Sequence, residues 1–240
     1  MTVEPRTLNI DRVTGGRVST EQREGSHPTK AVILDYGQVL SRAPGAEGFG
    51  HMAKMFNVGL DSFCEHWQSG RDVYDRGDLT AEEYWLKLAA QTNTSITPQQ
   101  IETLRQVELE IWNRIDPDML DWLSRLHAAG FKTGLLSNMP WDMVTHVRTK
   151  CAWMEKFSFH TLSAELQLIK PHPAIYEHAL NGLGVTAGEA LFVDDRETNV
   201  AAARALGIRA IQFRSVAQLK DELVSLGFPI LPAVGQSPVR

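Results

Sequence analysis

The feature that most constrains this chain is a short apolar run, Ala31-Val32-Ile33-Leu34, that ends abruptly on the carboxylate of Asp35. Four consecutive apolar residues before a polar break suit a strand buried on both faces. The pattern recurs at Thr133–Leu136, Ala190–Val193 and Ala210–Phe213. Between these runs lie helical segments with clear punctuation. Asp116-Pro117 reads as N-cap and first helical residue, Met119, Trp122, Leu123 and Leu126 share one face, and Gly130 closes the helix. Pro173 opens another, with Ile175, Tyr176, Ala179, Leu180 and Leu183 inward and Gly184 at its end. A third runs from about Thr198 to Leu206 before Gly207, and Ser215 with Gln218 forms a capping box for a last helix ending at Gly227. Buried strands alternating with amphipathic helices predict an α/β fold, a Rossmann-like parallel sheet with helices on both faces. In such sheets ligands bind at the carboxyl ends of the strands.

Residues 45–114 break the alternation. They are helix-like throughout and rich in bulk, with Trp67, Tyr74, Tyr84, Trp85, Leu88 and Trp112. We read them as an all-helical cap inserted after the first strand, its aromatic residues forming the cap's own core. The expected organisation is a loose extension over 1–28, a catalytic core over 29–44 and 115–231, the cap over 45–114, and a proline-bearing tail over 232–240. A chain of 240 residues, 43% hydrophobic, can fill one core and a smaller accessory unit. The net charge of −5, with no basic run, argues against nucleic acid. Cys64 and Cys151 are far apart and outside any C-x-x-C pair, so two buried free thiols are expected. No apolar run approaches the roughly 18 residues of a membrane span, and the polar start lacks a signal-peptide core, which predicts a cytoplasmic protein.

Four polar clusters follow apolar runs in order: Asp35-Tyr36-Gly37-Gln38, Ser137-Asn138, Lys170-Pro171, and Asp194-Asp195 with Asn199. Each alone reads equally as a cap or a turn; their joint order at strand ends is hard to obtain by chance. Phosphoryl transfer would use such a set. A carboxylate can attack phosphorus and form an acyl-phosphate, and the anion–anion encounter needs cations. Mg²⁺ takes oxygen ligands, often one or two carboxylates. Asp35 and Asp195 supply these, Lys170 adds positive charge, and Ser137 and Asn138 can donate hydrogen bonds to phosphate oxygens. Asp194 reads either as a residue orienting Asp195 or as a turn residue. Asn199 reads as a partner of Asp195, of the nucleophile loop or of a metal-bound water, or as a helix cap.

These motifs resemble the four of the haloacid dehalogenase superfamily, over roughly residues 30–215, with the insertion where subfamily I members carry a helical cap. The resemblance implies Mg²⁺ dependence, Asp35 as nucleophile, Ser137, Asn138 and Lys170 around the phosphate, and a metal held by Asp35, the Gly37 carbonyl and Asp195. The substrate implied is a small phosphorylated metabolite, the protein a monomer or homodimer. One position departs. Gly37 stands where most phosphatases of the family carry a second Asp as general acid and base, a group typically contributing about 10²–10⁴-fold. Asp-x-Gly-Asn/Gln motifs resemble a branch similar to the α-glucose-1-phosphate phosphatases, so a sugar phosphate whose anomeric oxygen departs easily is one expectation. A proton from the cap is the other, with Glu65, His66, Asp72 and Asp75 as candidates and Arg71 and Arg76 as anion partners. Competing readings are a metal-free 2-haloacid dehalogenase, for which Tyr176 fits but Gly37 and Asp194-Asp195 do not, and a non-catalytic binding protein, which Gly37 alone supports.

Overall fold

The computed structural model describes residues 28–235; the expectations for 1–27 and 236–240 lie outside the described residues. The core is a five-stranded parallel sheet in the order β3-β2-β1-β4-β5. Its strands are β1 (Ala31–Leu34), β2 (Lys132–Ser137), β3 (Phe159–Leu162), β4 (Ala190–Asp194) and β5 (Arg209–Gln212). Four match the apolar runs within a residue at each end; β5 begins and ends one residue early. The sequence reading missed β3. It is an edge strand, Phe-His-Thr-Leu, whose mixed polarity gives no continuous apolar signal.

The remaining elements, in chain order, are α1 (Ala46–Met55), α2 (Leu60–Ser69), α3 (Arg71–Asp75), α4 (Ala81–Gln91), α5 (Pro98–Trp112), α6 (Pro117–Ala128), α7 (Trp141–Lys150), α8 (Ser163–Leu166), α9 (Pro173–Leu183), α10 (Glu197–Ala205) and α11 (Val216–Ser225). The predicted caps are in place. Asp116 accepts from the Asp118 and Met119 N–H groups, Ser215 and Gln218 close a capping box, and Gly184 ends α9 at φ +59°.

Alternate side chains of each central strand serve opposite faces of the sheet. Val32 and Leu34 join Met119, Trp122, Val144 and Leu219 from α6, α7 and α11 on one face. Ala31 and Ile33 join Ile175, Tyr176, Leu183 and Ala203 from α9 and α10 on the other. All four residues of β1 are fully buried, which is why the run reads apolar without alternation. Cys64 and Cys151 are unpaired, but half-buried rather than buried as expected.

Helices α1 to α5 lie between β1 and β2 in sequence and enclose a third apolar cluster built on Phe56, Phe63, Trp67, Tyr74, Tyr84, Trp85 and Leu88. The chain leaves and re-enters the core through two adjacent segments. Ser41 bridges Ile115 in antiparallel fashion, and the Arg42 and Asp116 N–H groups donate to the Arg114 and Leu40 carbonyls at 2.8 and 2.9 Å. Trp112 packs against both this cluster and the core. Among the described residues no helix is long and apolar enough to cross a membrane.

The insertion also touches the core at Gly77, after α3. It has φ +84°, and a β-carbon there would stand 3.0 Å from the Ala164 carbonyl oxygen and 2.8 Å from the Trp141 indole nitrogen. Gly130 has nearly the same φ, +82°, with nothing within 4 Å. Gly77→Ala should therefore cost about 1–3 kcal/mol in urea unfolding, from backbone strain and overpacking together. Gly130→Ala should cost about 1 kcal/mol, the backbone part alone. Equal losses at the two sites would contradict this contact.

Candidate active site

The sheet reverses strand order around β1, with β2 and β3 on one side and β4 and β5 on the other. The carboxyl ends of β1, β2 and β4 therefore meet at a switch point, where ligand sites of open α/β sheets form. Asp35 follows β1, Ser137 ends β2, and Asp194 and Asp195 end and follow β4. All of them but Asp194 line a cavity of about 330 Å³ between the sheet and the insertion.

Lys170 is the hub. It is 3% exposed, and its ammonium donates to Asp194 Oδ2 at 2.6 Å, Asp35 Oδ1 at 2.8 Å and the Leu136 carbonyl at 3.0 Å. Three donors meet three acceptors, so the group is saturated. Burial opposes its charge, but Asp194 and Asp35 outweigh that and raise its pKa. The Asp35 carboxyl is pushed up to about 7 by burial; Lys170 pulls it down, while Asp194 and Asp195 add to the rise. Burial and Asp194 likewise raise Asp195, against Lys170 and Arg196.

The other predicted residues divide by what they touch. Asp35 Oδ1 also accepts from the Tyr36 N–H at 2.7 Å, which fixes the carboxylate at the start of the turn. Asp194 is fully occupied: besides Lys170, it accepts from the Arg196 N–H at 2.9 Å and from the Asn199 amide at 2.9 and 3.1 Å. Asn199 thus meets Asp194, not Asp195. Asn138 lines the cavity, but its side-chain amide is engaged by the Lys170 backbone. Its Oδ1 accepts from the Lys170 N–H at 2.8 Å and its Nδ2 donates to the Lys170 carbonyl at 3.1 Å, clamping that loop. Asp195 Oδ2 accepts from Gln38 Nε2 at 2.9 Å, a contact that motif spacing does not predict. Gln38 reaches it from a left-handed backbone, φ +60°. Tyr176 is buried; its hydroxyl donates to the Asn199 carbonyl at 3.0 Å and its ring packs edge-on to Phe192.

Asp35, Asp194 and Asp195 each offer a carboxylate oxygen within 4.8 Å of the others. Three carboxylates face the Lys170 ammonium, with the Arg196 guanidinium also acting on Asp195, and such oxygen-only donors in excess of the ammonium fit a hard divalent cation. A β-carbon at Gly37 would stand 3.2 Å from the Trp112 ring, so the space beside the turn is filled from the insertion by an indole.

The insertion supplies the opposite wall. Arg71 and Asp75 line the cavity, whereas Glu65, His66, Asp72 and Arg76 do not. Sequence reasoning missed Glu108, which is 4% exposed and lies beside Arg71. It also missed Arg105, whose guanidinium forks onto Asp142 of α7 at 2.6 and 3.0 Å and ties insertion to core. Helical periodicity marks which positions turn inward but not which cavity they meet.

The family model for haloacid dehalogenase-like hydrolases matches residues 17–207. The chain belongs to this family. The chain is similar to proteins of different lengths. Acyl-CoA dehydrogenase family member 10 of Mus musculus is 26% identical over 233 residues, 90% of this chain but only 21% of that protein. A phosphoglycolate phosphatase of Yersinia pseudotuberculosis is 29% identical over 177 residues, 70% of this chain and 74% of that one. A solved haloacid dehalogenase family enzyme from Bacteroides thetaiotaomicron, in complex with magnesium and inorganic phosphate, superposes with a TM-score of 0.61. It is 23% identical and covers 78% of this chain and 94% of that one, which establishes the shared fold.

The hub generates a stability prediction. Removing one partner of a buried ion network costs about 3–5 kcal/mol. Lys170→Met in EDTA at pH 7 should be destabilised by about that much. The folded variant would then bind more protons than the unfolded chain, so the deficit should shrink as pH falls toward 5. A deficit that is independent of pH would show that Lys170 acts by packing alone.

Proposed function

We propose that this family hydrolase is a phosphoric monoester hydrolase that acts on a small phosphorylated metabolite, with Asp35 as nucleophile. The carrying observation is Asp35 itself: a buried carboxylate at a switch point, with one oxygen held by Lys170 and the Tyr36 N–H. Its second oxygen, Oδ2, receives no hydrogen bond among the described residues. In this reading Asp35 bonds to phosphorus as the leaving oxygen departs, and water then attacks the same phosphorus and frees Asp35. Asp35, Asp195 and the Gly37 carbonyl would hold Mg²⁺, which supplies positive charge to a site whose carboxylates outnumber its ammonium.

The roles of the surrounding residues follow from their contacts. Lys170 would exchange one protein acceptor for a phosphate oxygen, since all three of its protons are otherwise engaged. The Ser137 hydroxyl, at the end of β2 and facing the cavity, would donate to another. Asn138 would act through Lys170, by fixing its backbone, rather than through its own amide. Asp194 and Asn199 would set the lysine in place. The segment over 45–114 would serve as the cap, closing the strand ends and reading the part of the substrate that leaves. Its wall offers Gln68, Arg71, Asp75, Glu108 and Arg105, hydrogen-bonding groups that suit the hydroxyls of a sugar phosphate.

Two measurements test this reading. A panel of phosphorylated metabolites, sugar 1-phosphates and 6-phosphates among them, should yield at least one turned over with Mg²⁺ and not by Asp35→Asn. In thermal melts Mg²⁺ should raise the Tm of the wild type and shift Asp195→Asn much less, because ligands that bind only the folded state stabilise it. No turnover of any phosphate, together with no Mg²⁺ shift, would sink the proposal.

A further inference from the structure

We propose that Asp75 and Glu108, bridged by Arg71 on the insertion wall of the cavity, share one proton and lend it to the leaving oxygen of the substrate. This rests on the phosphatase reading above and goes beyond it by naming the acid–base group. In the first step Asp35 bonds to phosphorus, the phosphorus–oxygen bond of the ester breaks, and the departing oxygen takes the proton from the pair. In the second the pair takes a proton from water as the resulting hydroxide bonds to phosphorus and Asp35 is released. The proton returns to where it began, and no other reactant is needed.

The wall beside the nucleophile cannot supply the acid. Gly37 has no side chain, and the Trp112 ring fills the adjoining space. Of the other charged groups around the cavity, Lys170 and Asp195 are assigned above to the phosphate and the metal, Asp142 is matched one to one with the Arg105 fork, and Arg71, Arg105 and Arg196 are guanidinium cations that hold their protons. Asp75 and Glu108 remain, and their placement is unusual. Their side chains are 14% and 6% exposed, and both fasten on the same guanidinium: Arg71 Nη2 to Asp75 Oδ1 at 2.6 Å, and Arg71 Nη1 to Glu108 Oε1.

Arg71 lies over the Trp67 ring, 4.4 Å from its centroid, with Tyr74 at 5.1 Å. Two carboxylates thus face one cation in an aromatic surround. The surplus negative charge is costly there, and a bound proton is the simplest relief. Burial raises both carboxyl groups, against the pull of Arg71, and Asp75 adds to the rise of Glu108. The groups facing the pair include Asp72, Asp142 and Arg196 as well.

Glu108 precedes Trp112 by four residues of α5, about 6 Å along the axis, so the carboxylate and the indole that covers Gly37 stand on one face of that helix. A proton-bearing pair suits an alcohol as leaving group, which departs poorly without one. With this donor the preference for an anomeric oxygen, expected from Gly37 alone, is no longer required.

The test is the leaving-group dependence of kcat/KM with Mg²⁺, over 4-nitrophenyl phosphate, phenyl phosphate and glucose 6-phosphate. 4-Nitrophenolate departs without a proton; the other leaving groups need one. Either Glu108→Gln or Asp75→Asn leaves one carboxylate matched to one guanidinium, with no reason to keep a proton. Each should raise the ratio of 4-nitrophenyl to phenyl phosphate kcat/KM by about 10²–10⁴-fold, the contribution of a general acid. Losses that are equal on both substrates, or no loss, would overturn the proposal. If a variant fails to fold, the wild type decides. A weak dependence on leaving-group pKa supports a donor, and a steep one rejects it. Activity surviving in Asp35→Asn, or a wild type inactive on these three and on every ester of the metabolite panel with no Mg²⁺ shift, would instead reject the phosphatase reading.

Discussion

A single buried ammonium organises this molecule. Lys170 joins Asp35 at the end of β1, the Leu136 carbonyl in β2 and Asp194 in β4. These are the three central strands of the sheet. Charges taken out of water are tolerated only when paired and hydrogen-bonded, so the strand ends, the Lys170 loop and the cap of α10 must be in place together. Asn138 fixes the lysine backbone and Asn199 the aspartate opposite it. The arrangement still leaves carboxylate in excess, and that imbalance is what makes the site receptive to a cation and, through the cation, to a phosphate. Burial first, and this surplus after it, raises the carboxyl groups of Asp35 and Asp195.

The insertion repeats this theme with the opposite outcome. Around Lys170 the excess charge is close to the strand ends and open to a metal; around Arg71 it is enclosed by Trp67, Tyr74 and Tyr84. One surplus is suited to Mg²⁺ and the other to a proton. The two walls are held at a fixed spacing by contacts that cross the cavity. The Tyr36 hydroxyl donates to the Trp112 carbonyl at 2.8 Å, Arg105 forks onto Asp142, and the Ser163 hydroxyl donates to the Asp75 carbonyl. Gly37 is part of the same fit. A side chain there would press on Trp112, and the indole covers the turn instead.

Much of this was legible in the sequence, for physical reasons. Strands buried on both faces announce themselves as apolar runs, so β1, β2 and β4 are legible. The edge strand β5 is legible because Ala210, Ile211 and Phe213 keep a short apolar run, although it is only partly buried. Residues at the carboxyl ends then follow from the fold class. Caps such as Asp116 and Ser215 are local chemistry and were read correctly. The strand β3 was not, because its sequence, with His160 and Thr161, has no apolar continuity. Side-chain partners were the weakest inference. Asn138 and Asn199 stood in the right motifs, yet whether an amide faces ligand, lysine or aspartate depends on a tertiary approach that spacing does not encode. Glu108 was invisible for the same reason: on α5 it looks like any acidic residue until Arg71 arrives from another helix.

The central claim is that Asp35 carries the phosphoryl group. The most direct measurement is rapid acid quench of the enzyme during turnover of 4-nitrophenyl phosphate with Mg²⁺, followed by peptide mass spectrometry. The account predicts a phosphoryl adduct on Asp35, absent in Asp35→Asn and when substrate is omitted. Steady turnover with no adduct on Asp35, or an adduct on another residue, would contradict it.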